Sequence, residues 1–291
     1  MLRIFLFLAT NIAIMIAISI IFSVFGLQGS LDAQGVNLNL SGLLAMSAVI
    51  GVTGSIVSLL MSKWSAKNLM GVQIIDRPQN PTEQWLVDVV AKLATKAGIG
   101  LPEVGIFDAP EPNAFATGAN KNNALVAVSV GLLHTMSADE VEAVLGHEIS
   151  HVANGDMITL SLIQGVINTF VYFFATIIGY LVDRLVFKTE RGYGPAYYVV
   201  QFISQIVLSI LASIIVMWFS RYREFRADQG GANLAGKHKM ISALRALQRA
   251  QTPVELPGQL AAFGINSGGA NRLFMSHPPL EERIAALENS Q

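Results

Sequence analysis

The chain has 291 residues, of which 52% are hydrophobic and 13% charged, and its formal net charge is -1. Soluble domains carry roughly 25% charged residues, so water alone does not solvate this chain, and the near-neutral balance excludes the clustered positive charge that nucleic-acid binding needs. Cysteine is absent, which removes disulfides and thiolate metal ligands and leaves His, Asp and Glu as the ligands available to a metal.

In chain order, the first feature is an apolar run, Ile4–Phe25, followed by a second, Leu38–Met61; neither contains Asp, Glu, Lys or Arg. Each exceeds the roughly 20 residues that cross a hydrocarbon core of about 30 Å. The first is read as an uncleaved anchor, because it is longer than the apolar part of a signal peptide and Ser23–Leu27 makes a poor cleavage site. Arg3, Lys63 and Lys67 flank this hairpin, whereas the connecting segment Gly26–Asn37 has no basic residue. Cytoplasmic flanks carry the excess of Lys and Arg, so both ends of the hairpin are expected in the cytoplasm.

From Lys63 to Asp156 polar and apolar residues alternate between turn-forming stretches such as Asp76-Arg77-Pro78 and Ala109-Pro110-Glu111-Pro112. Periodicity predicts a helix over Pro81–Lys96 and strands at Val104–Phe107, Ala114–Thr117 and Leu125–Val130. Ser137 with Glu140 is a capping box that starts a further helix directing Val141, Val144 and Leu145 inward. Two more uncharged runs follow, Ile158–Val182 and Val199–Phe219. After them come amphipathic stretches at Lys237–Gln251 and Leu280–Leu287, separated in part by the loop-like Gly264–Gly269.

The chemistry resides in His147-Glu148-Ile149-Ser150-His151. Two imidazoles four residues apart share one helix face and reach one metal ion, while Glu148 projects beside them toward a water. Alone, the pattern also fits a solvated face or a pair of core histidines. A third ligand is therefore decisive, and Glu224 with Asp228 at i, i+4 supplies a choice. The hairpin 158–219 returns the chain at residue 220 to the side it left at residue 156, where Arg221, Arg223 and Arg226 again mark the cytoplasm. Arg184, Lys188 and Arg191 in the intervening loop run against that rule. Glu224, nearer the end of the apolar run, is expected as the ligand, and Asp228 as an acceptor that orients an imidazole through its other ring nitrogen. Pairing of both acids with the neighbouring arginines is the plainer alternative.

His277, before Pro278-Pro279, is a candidate oxyanion donor, and it is equally well read as a loop histidine that packs or caps. His134 and His238 look structural. Asn113, Ala114, Phe115 and Ala116 are candidates for an edge strand that binds an extended peptide, or for an ordinary hairpin segment with Phe115 in the core.

Several of these segments together resemble one family: the N-terminal hairpin, Asn113-Ala114-Phe115-Ala116-Thr117-Gly118, the His147–His151 helix with Val152–Asp156, the second hairpin, Arg223–Asp228 and Ser276-His277-Pro278-Pro279-Leu280. In this order the chain resembles the HtpX-type membrane zinc metalloproteases, relatives of the CAAX prenyl proteases and mitochondrial Oma-type proteases. The resemblance implies Glu224 as third zinc ligand, a place in the cell inner membrane, a stress-linked role in degrading damaged membrane proteins, and self-cleavage, in trans.

The expected fold is α+β: a zincin-like metalloprotease domain combined with four transmembrane or membrane-embedded helices. The parts are an N-terminal hairpin at 1–62, a cytoplasmic protease part at 63–157, a second apolar hairpin at 158–219 and a completing part at 220–291. The expected cofactor is one zinc ion per subunit, held by His147, His151 and Glu224. The expected partners are unfolded or membrane-protein substrates and the lipid bilayer, without nucleic acid. A transporter needs ionisable groups within its spans, which this chain lacks. A silent scaffold with structural zinc usually offers four protein ligands.

Overall fold

The computed structural model describes residues 38–190, 192–251 and 275–290, with the single positions 16, 20, 23, 24 and 26. Most of the expected first span Ile4–Phe25, the segment Gly26–Asn37 beyond Gly26, and the loop Gly264–Gly269 lie outside the described residues. The chain divides into two compact units, one of Met1–Ser58 with Thr159–Val216 and one of Leu59–Ile158 with Met217–Gln291.

The second unit contains a four-stranded sheet in the order β1-β2-β4-β3. Its strands are β1 (Gln73–Ile74), β2 (Glu103–Phe107), β3 (Ala114–Thr117) and β4 (Leu125–Ser129). β2 and β4 run parallel with Val104 opposite Val126, while β3 lies antiparallel on β4 with Ala114 opposite Val128. Every residue of β4 is buried, which suits an apolar run in the interior of a sheet. The expected third strand ends at Ser129 rather than Val130. The Ser129 hydroxyl accepts a hydrogen bond from the Leu132 N–H at 3.0 Å and caps a short helix, α3 (Val130–Thr135), that the sequence pattern did not announce.

Helix α2 (Pro81–Ala97) starts at the Asn80 side chain, which accepts from the Glu83 N–H, and buries Leu86, Val90 and Leu93 along one face. Helix α4 (Ala138–Asn154) begins with the expected capping box, both reciprocal bonds between Ser137 and Glu140 being made. It ends at Gly155, whose φ of 63° is the left-handed conformation glycine adopts without strain. Two further helices, α7 (Lys237–Gln251) and α8 (Leu280–Asn289), complete the unit. Leu86, Leu93, Val126, Leu145, Ile149, Leu244 and Ile284 form one core between sheet and helices.

The remaining helices are α1 (Leu40–Asn68), α5 (Asp156–Leu185) and α6 (Pro195–Ala235). In the first unit Leu44, Phe173, Tyr180 and Tyr197 cluster, and Gln201 Nε2 donates to Thr176 Oγ1 at 2.9 Å. Among the described residues these three helices are long and apolar enough to cross a bilayer. Only 6% of the most apolar stretch of α6 is buried by the rest of the protein. A helix so apolar and so little covered requires a non-aqueous solvent, and the protein is an integral membrane protein.

Within the second unit, α6 and α4 pack closely. A Cβ at Gly230 would overlap the Ser150 hydroxyl and lie 2.7 Å from the Ser150 Cβ, which has no freedom to retreat. Glycine in a helix interior is ordinarily worse than alanine by about 0.8–1.0 kcal/mol, so its presence here reflects the contact. We predict that Gly230→Ala lowers stability by about 1–3 kcal/mol, the cost of overpacking, against the gain that helix propensity alone forecasts. Thermal unfolding of the protein in detergent decides the sign, and a raised midpoint would refute the close approach.

Candidate metal centre

His147 and His151 lie one turn apart on α4, and Glu224 lies on α6 where that helix packs against α4. Their rings and carboxylate converge. His147 Nε2 is 3.1 Å from His151 Nε2 and 3.4 Å from Glu224 Oε2, and His151 Nε2 is 3.3 Å from Glu224 Oε1. Donor atoms about 2.0–2.1 Å from a tetrahedral centre stand about 3.3–3.4 Å from one another. The observed separations lie near that spacing, the two carboxylate distances being to different oxygens of Glu224, and the three groups stand close enough together to hold one metal ion.

What holds the rings is equally specific. His147 Nδ1 lies 2.9 Å from Asp228 Oδ1, at ion-pair distance, and His151 Nδ1 is hydrogen bonded to Asp156 Oδ2 at 2.7 Å. A carboxylate beside Nδ1 favours the proton there and leaves the Nε2 lone pair facing the common point. Asp156 is the first residue of α5. Its position follows from Gly155, which turns the chain so that the next residue reaches back to the histidine one turn earlier.

Glu224 and Asp228 are 2% and 1% exposed. Among the described residues, neither pairs with Arg221, Arg223 or Arg226. Arg223 reaches Ser220 Oγ and lies 5.8 Å from the Phe219 ring centroid, and Arg221 donates to the Met275 carbonyl at 2.7 Å. The acids instead meet the histidines and Arg283, a buried residue of α8 that donates from Nε and Nη2 to the two oxygens of Asp228 at 2.7 and 2.6 Å. Arg283 escaped the sequence reading, since no local spacing connects it to Asp228. Asp156 carried a fainter signal in its place directly after the helix-ending glycine.

His277 lies with Nδ1 2.7 Å from Glu224 Oε2. His134 and His238 are exposed on α3 and α7, outside the His–Glu cluster. Glu148 is the one residue of 141–150 that is not buried, and it opens onto a cavity of about 860 Å³. His147, His277, Asn113 and Ala114 line the same cavity, together with the apolar Leu132, Val144, Met240, Leu244 and Leu247. Of the candidate substrate strand, Asn113 and Ala114 therefore reach the cleft. Phe115 turns to the other side of β3, where its ring lies 5.4 Å from that of Phe107, and Ala116 packs against the core. β3 is an edge of the sheet.

The environment also sets the charge of the imidazoles. Burial opposes protonation of His147, but Asp228 and Glu224 outweigh it and its pKa is raised. Burial likewise opposes protonation of His151, and Asp156 and Glu224 push its pKa up to about 10.

A helix–sheet domain that presents a His–His–Glu donor set beside a cleft-facing glutamate, on a chain with membrane helices, defines a membrane metalloprotease. Comparison with known proteins makes the class specific. The model of peptidase family M48 matches residues 80–291. The chain is 61% identical over 292 residues to "Protease HtpX" of Thioalkalivibrio sulfidiphilus, covering 99% of both chains, and 62% identical over 289 residues to "Protease HtpX" of Nitrosococcus oceani, covering 98% of both. The chain belongs to peptidase family M48 and is of the HtpX type. Among solved structures, the crystal structure of S. mikatae Ste24p shares the fold with a TM-score of 0.61 at 18% identity, the match covering 93% of this chain and 66% of that one.

The raised pKa values have a direct consequence for metal uptake. The ion-paired, protonated imidazoles stabilise the metal-free protein fully below about pH 6.5, and for His151 that contribution is lost as the pH rises through about 10. Metal binding must displace those protons. Apparent affinity is therefore predicted to rise with pH between 6 and 9, by about tenfold per pH unit for each proton displaced. Chelator-competition titrations across that range test this; a flat profile would contradict it.

Proposed function

We propose that this protein is a zinc-dependent endopeptidase of the cell inner membrane, with its active site facing the cytoplasm, that cleaves damaged or unfolded membrane proteins. The observation that carries the reading is the convergence of His147 Nε2, His151 Nε2 and Glu224 near tetrahedral spacing beside the cleft-facing Glu148. An all-nitrogen-and-oxygen set of three protein ligands suits a catalytic zinc with an open position. When bound, zinc supplies Lewis-acid polarisation of the scissile carbonyl and acidifies a water.

The chain's own residues do the rest. Glu148 takes a proton from the attacking water and passes it to the leaving amide nitrogen, so that one carboxylate acts as base and then as acid. Asp228 and Asp156 keep the two imidazoles oriented. His277, at the mouth of the cleft, directs its Nδ1–H at Glu224 Oε2, so it donates toward the developing oxyanion from Nε2, which carries an N–H only in the doubly protonated ring; one such hydrogen bond contributes about 2.7–4 kcal/mol. Ala114, at the open edge of the sheet, pairs with the backbone of an extended peptide, and Asn113, whose own backbone N–H and C=O bond Ser129, lines the cleft beside it. That mode reads conformation more than sequence, and the apolar wall of the cleft suits side chains exposed by unfolded membrane proteins. The same chemistry allows self-cleavage, one copy acting on another.

The orientation rests on Lys63 and Lys67 at the end of α1 and on Arg221, Arg223 and Arg226 after the apolar stretch of α6. Zinc is favoured over harder cations by the two imidazoles, and over softer ones by the lack of thiolate.

Glu148→Gln is predicted to lower cleavage of an unfolded protein by at least 100-fold, at the low end of general acid–base contributions, while metal content measured on the same sample is unchanged. Undiminished proteolysis would remove Glu148 from the mechanism. For His277→Ala the expected result is a fall in kcat with zinc retained; equal turnover would assign His277 to packing alone.

A further inference from the structure

The two buried acids of α6 are each met by a residue from one short stretch of the C-terminal segment: His277 touches Glu224, and Arg283 clamps Asp228. Arg283 is 5% exposed. Its guanidinium places one N–H on each Asp228 oxygen, a geometry fixed in both direction and distance. Its remaining nitrogen, Nη1, lies 3.6 Å from Glu224 Oε2. The chain of contacts thus runs from Arg283 to Asp228, from Asp228 Oδ1 to His147 Nδ1, and from the His147 ring to the shared point at Nε2.

Without the guanidinium, Asp228 is a nearly inaccessible carboxylate one helical turn from a second one. A charge in that position is strongly unfavourable unless paired. The acid is then no longer held in one place, and His147 loses the carboxylate 2.9 Å from Nδ1 that fixes the direction in which its ring presents Nε2. Lysine does not replace the arginine, because a single ammonium does not span both oxygens in one plane.

The anchor of Arg283 is α8 itself. Ile284 and Leu287 join the main core with Leu244, Gln248 Nε2 donates to Glu281 Oε1 at 2.7 Å, and Arg245 Nη2 donates to Glu288 Oε1 at 2.8 Å. Docking of α8 on α7 therefore fixes where the guanidinium stands.

We propose that Arg283 is a positioning residue of the metal centre: through Asp228 it orients His147, so that the affinity of the site for metal depends on a residue that contacts no metal. This inference rests on the reading of His147, His151 and Glu224 as ligands.

The test uses the full chain in detergent and measures zinc affinity by chelator competition, with thermal unfolding of the metal-free protein alongside. Arg283→Lys is expected to weaken zinc binding by about 10–100-fold, the usual effect of removing an outer partner of a metal-binding histidine. Asp228→Asn should weaken it comparably. The double variant Asp228→Asn with Arg283→Gln should bind zinc no more weakly than Asp228→Asn alone, because residues acting in one chain are not additive. If the double variant fails to fold, Arg283→Lys and Asp228→Asn are still compared with the wild type. Arg245→Gln, which removes the exposed pair with Glu288 between α7 and α8, should leave affinity within about twofold, since such pairs are worth little and the docking of α8 rests on the buried Ile284 and Leu287.

Wild-type affinity in Arg283→Lys would overturn the proposal, as would additive losses in the double variant or a loss in Arg245→Gln as large as in Arg283→Lys. Failure of the wild type itself to bind zinc would instead strike the ligand assignment. The two ideas therefore fail separately.

Discussion

Burying a carboxylate costs several kcal/mol unless opposite charge or hydrogen bonds compensate it, and this protein buries three in one connected cluster: Glu224, Asp228 and Asp156. Among the described residues, Arg283 is the buried guanidinium that meets two of them, Asp228 and Glu224. With neutral imidazoles the cluster keeps a formal excess of two negative charges. A divalent cation between His147, His151 and Glu224 balances that excess. The same carboxylates raise the pKa values of the two histidines. Metal and protons thus compete for one electrostatic deficit, which the fold creates by placing acids where water does not reach.

That constraint accounts for the arrangement of the helices around it. Each imidazole needs a carboxylate behind it, and the two are supplied by different helices: Asp156 at the start of α5 and Asp228 on α6. The first is placed by local chain geometry, through the left-handed turn at Gly155. The second depends on tertiary packing, and Gly230 permits it by letting α6 approach α4 without a side chain between them. Glu224 and Asp228, spaced at i, i+4, then present one carboxylate to the shared point between the Nε2 atoms and the other to the back of a ring. Glu148 escapes the deficit by its place one residue after His147, which turns it from the buried cluster toward the cleft.

Much of this was legible in the sequence, and the part that was not has a common physical origin. The apolar runs 38–61, 158–182 and 199–219 announce themselves by composition; α5 and α6 contain the last two, and α1 takes up the first from Leu40 onward. The capping box at Ser137 and the spacing of His147 with His151 are local features, and local features survive in one dimension. The i, i+4 acids were visible, but the choice between arginine pairing and histidine pairing was a question of which helices meet. Arg283 and the burial of Asp228 are products of that meeting, separated from it by long stretches of chain. β1 and α3 were missed because two and six residues give too little periodicity to rise above their surroundings.

The division of roles between the core and the cluster bears on how such an enzyme tolerates the loss of its metal. The apolar interior formed by Leu86, Leu93, Val126, Leu145, Ile149 and Ile284 contains none of the three candidate ligands. Structural zinc sites, by contrast, supply the folding energy of the domains that hold them. Here the sheet, α2, α4, α7 and α8 are packed by hydrophobic burial, and the charges of the cluster are satisfiable by protons. Asp156, Asp228 and Arg283 hold His147, His151 and Glu224 close together from positions outside the donor set. This leaves the cleft side, with Glu148 and the open strand edge, as the face free to meet substrate.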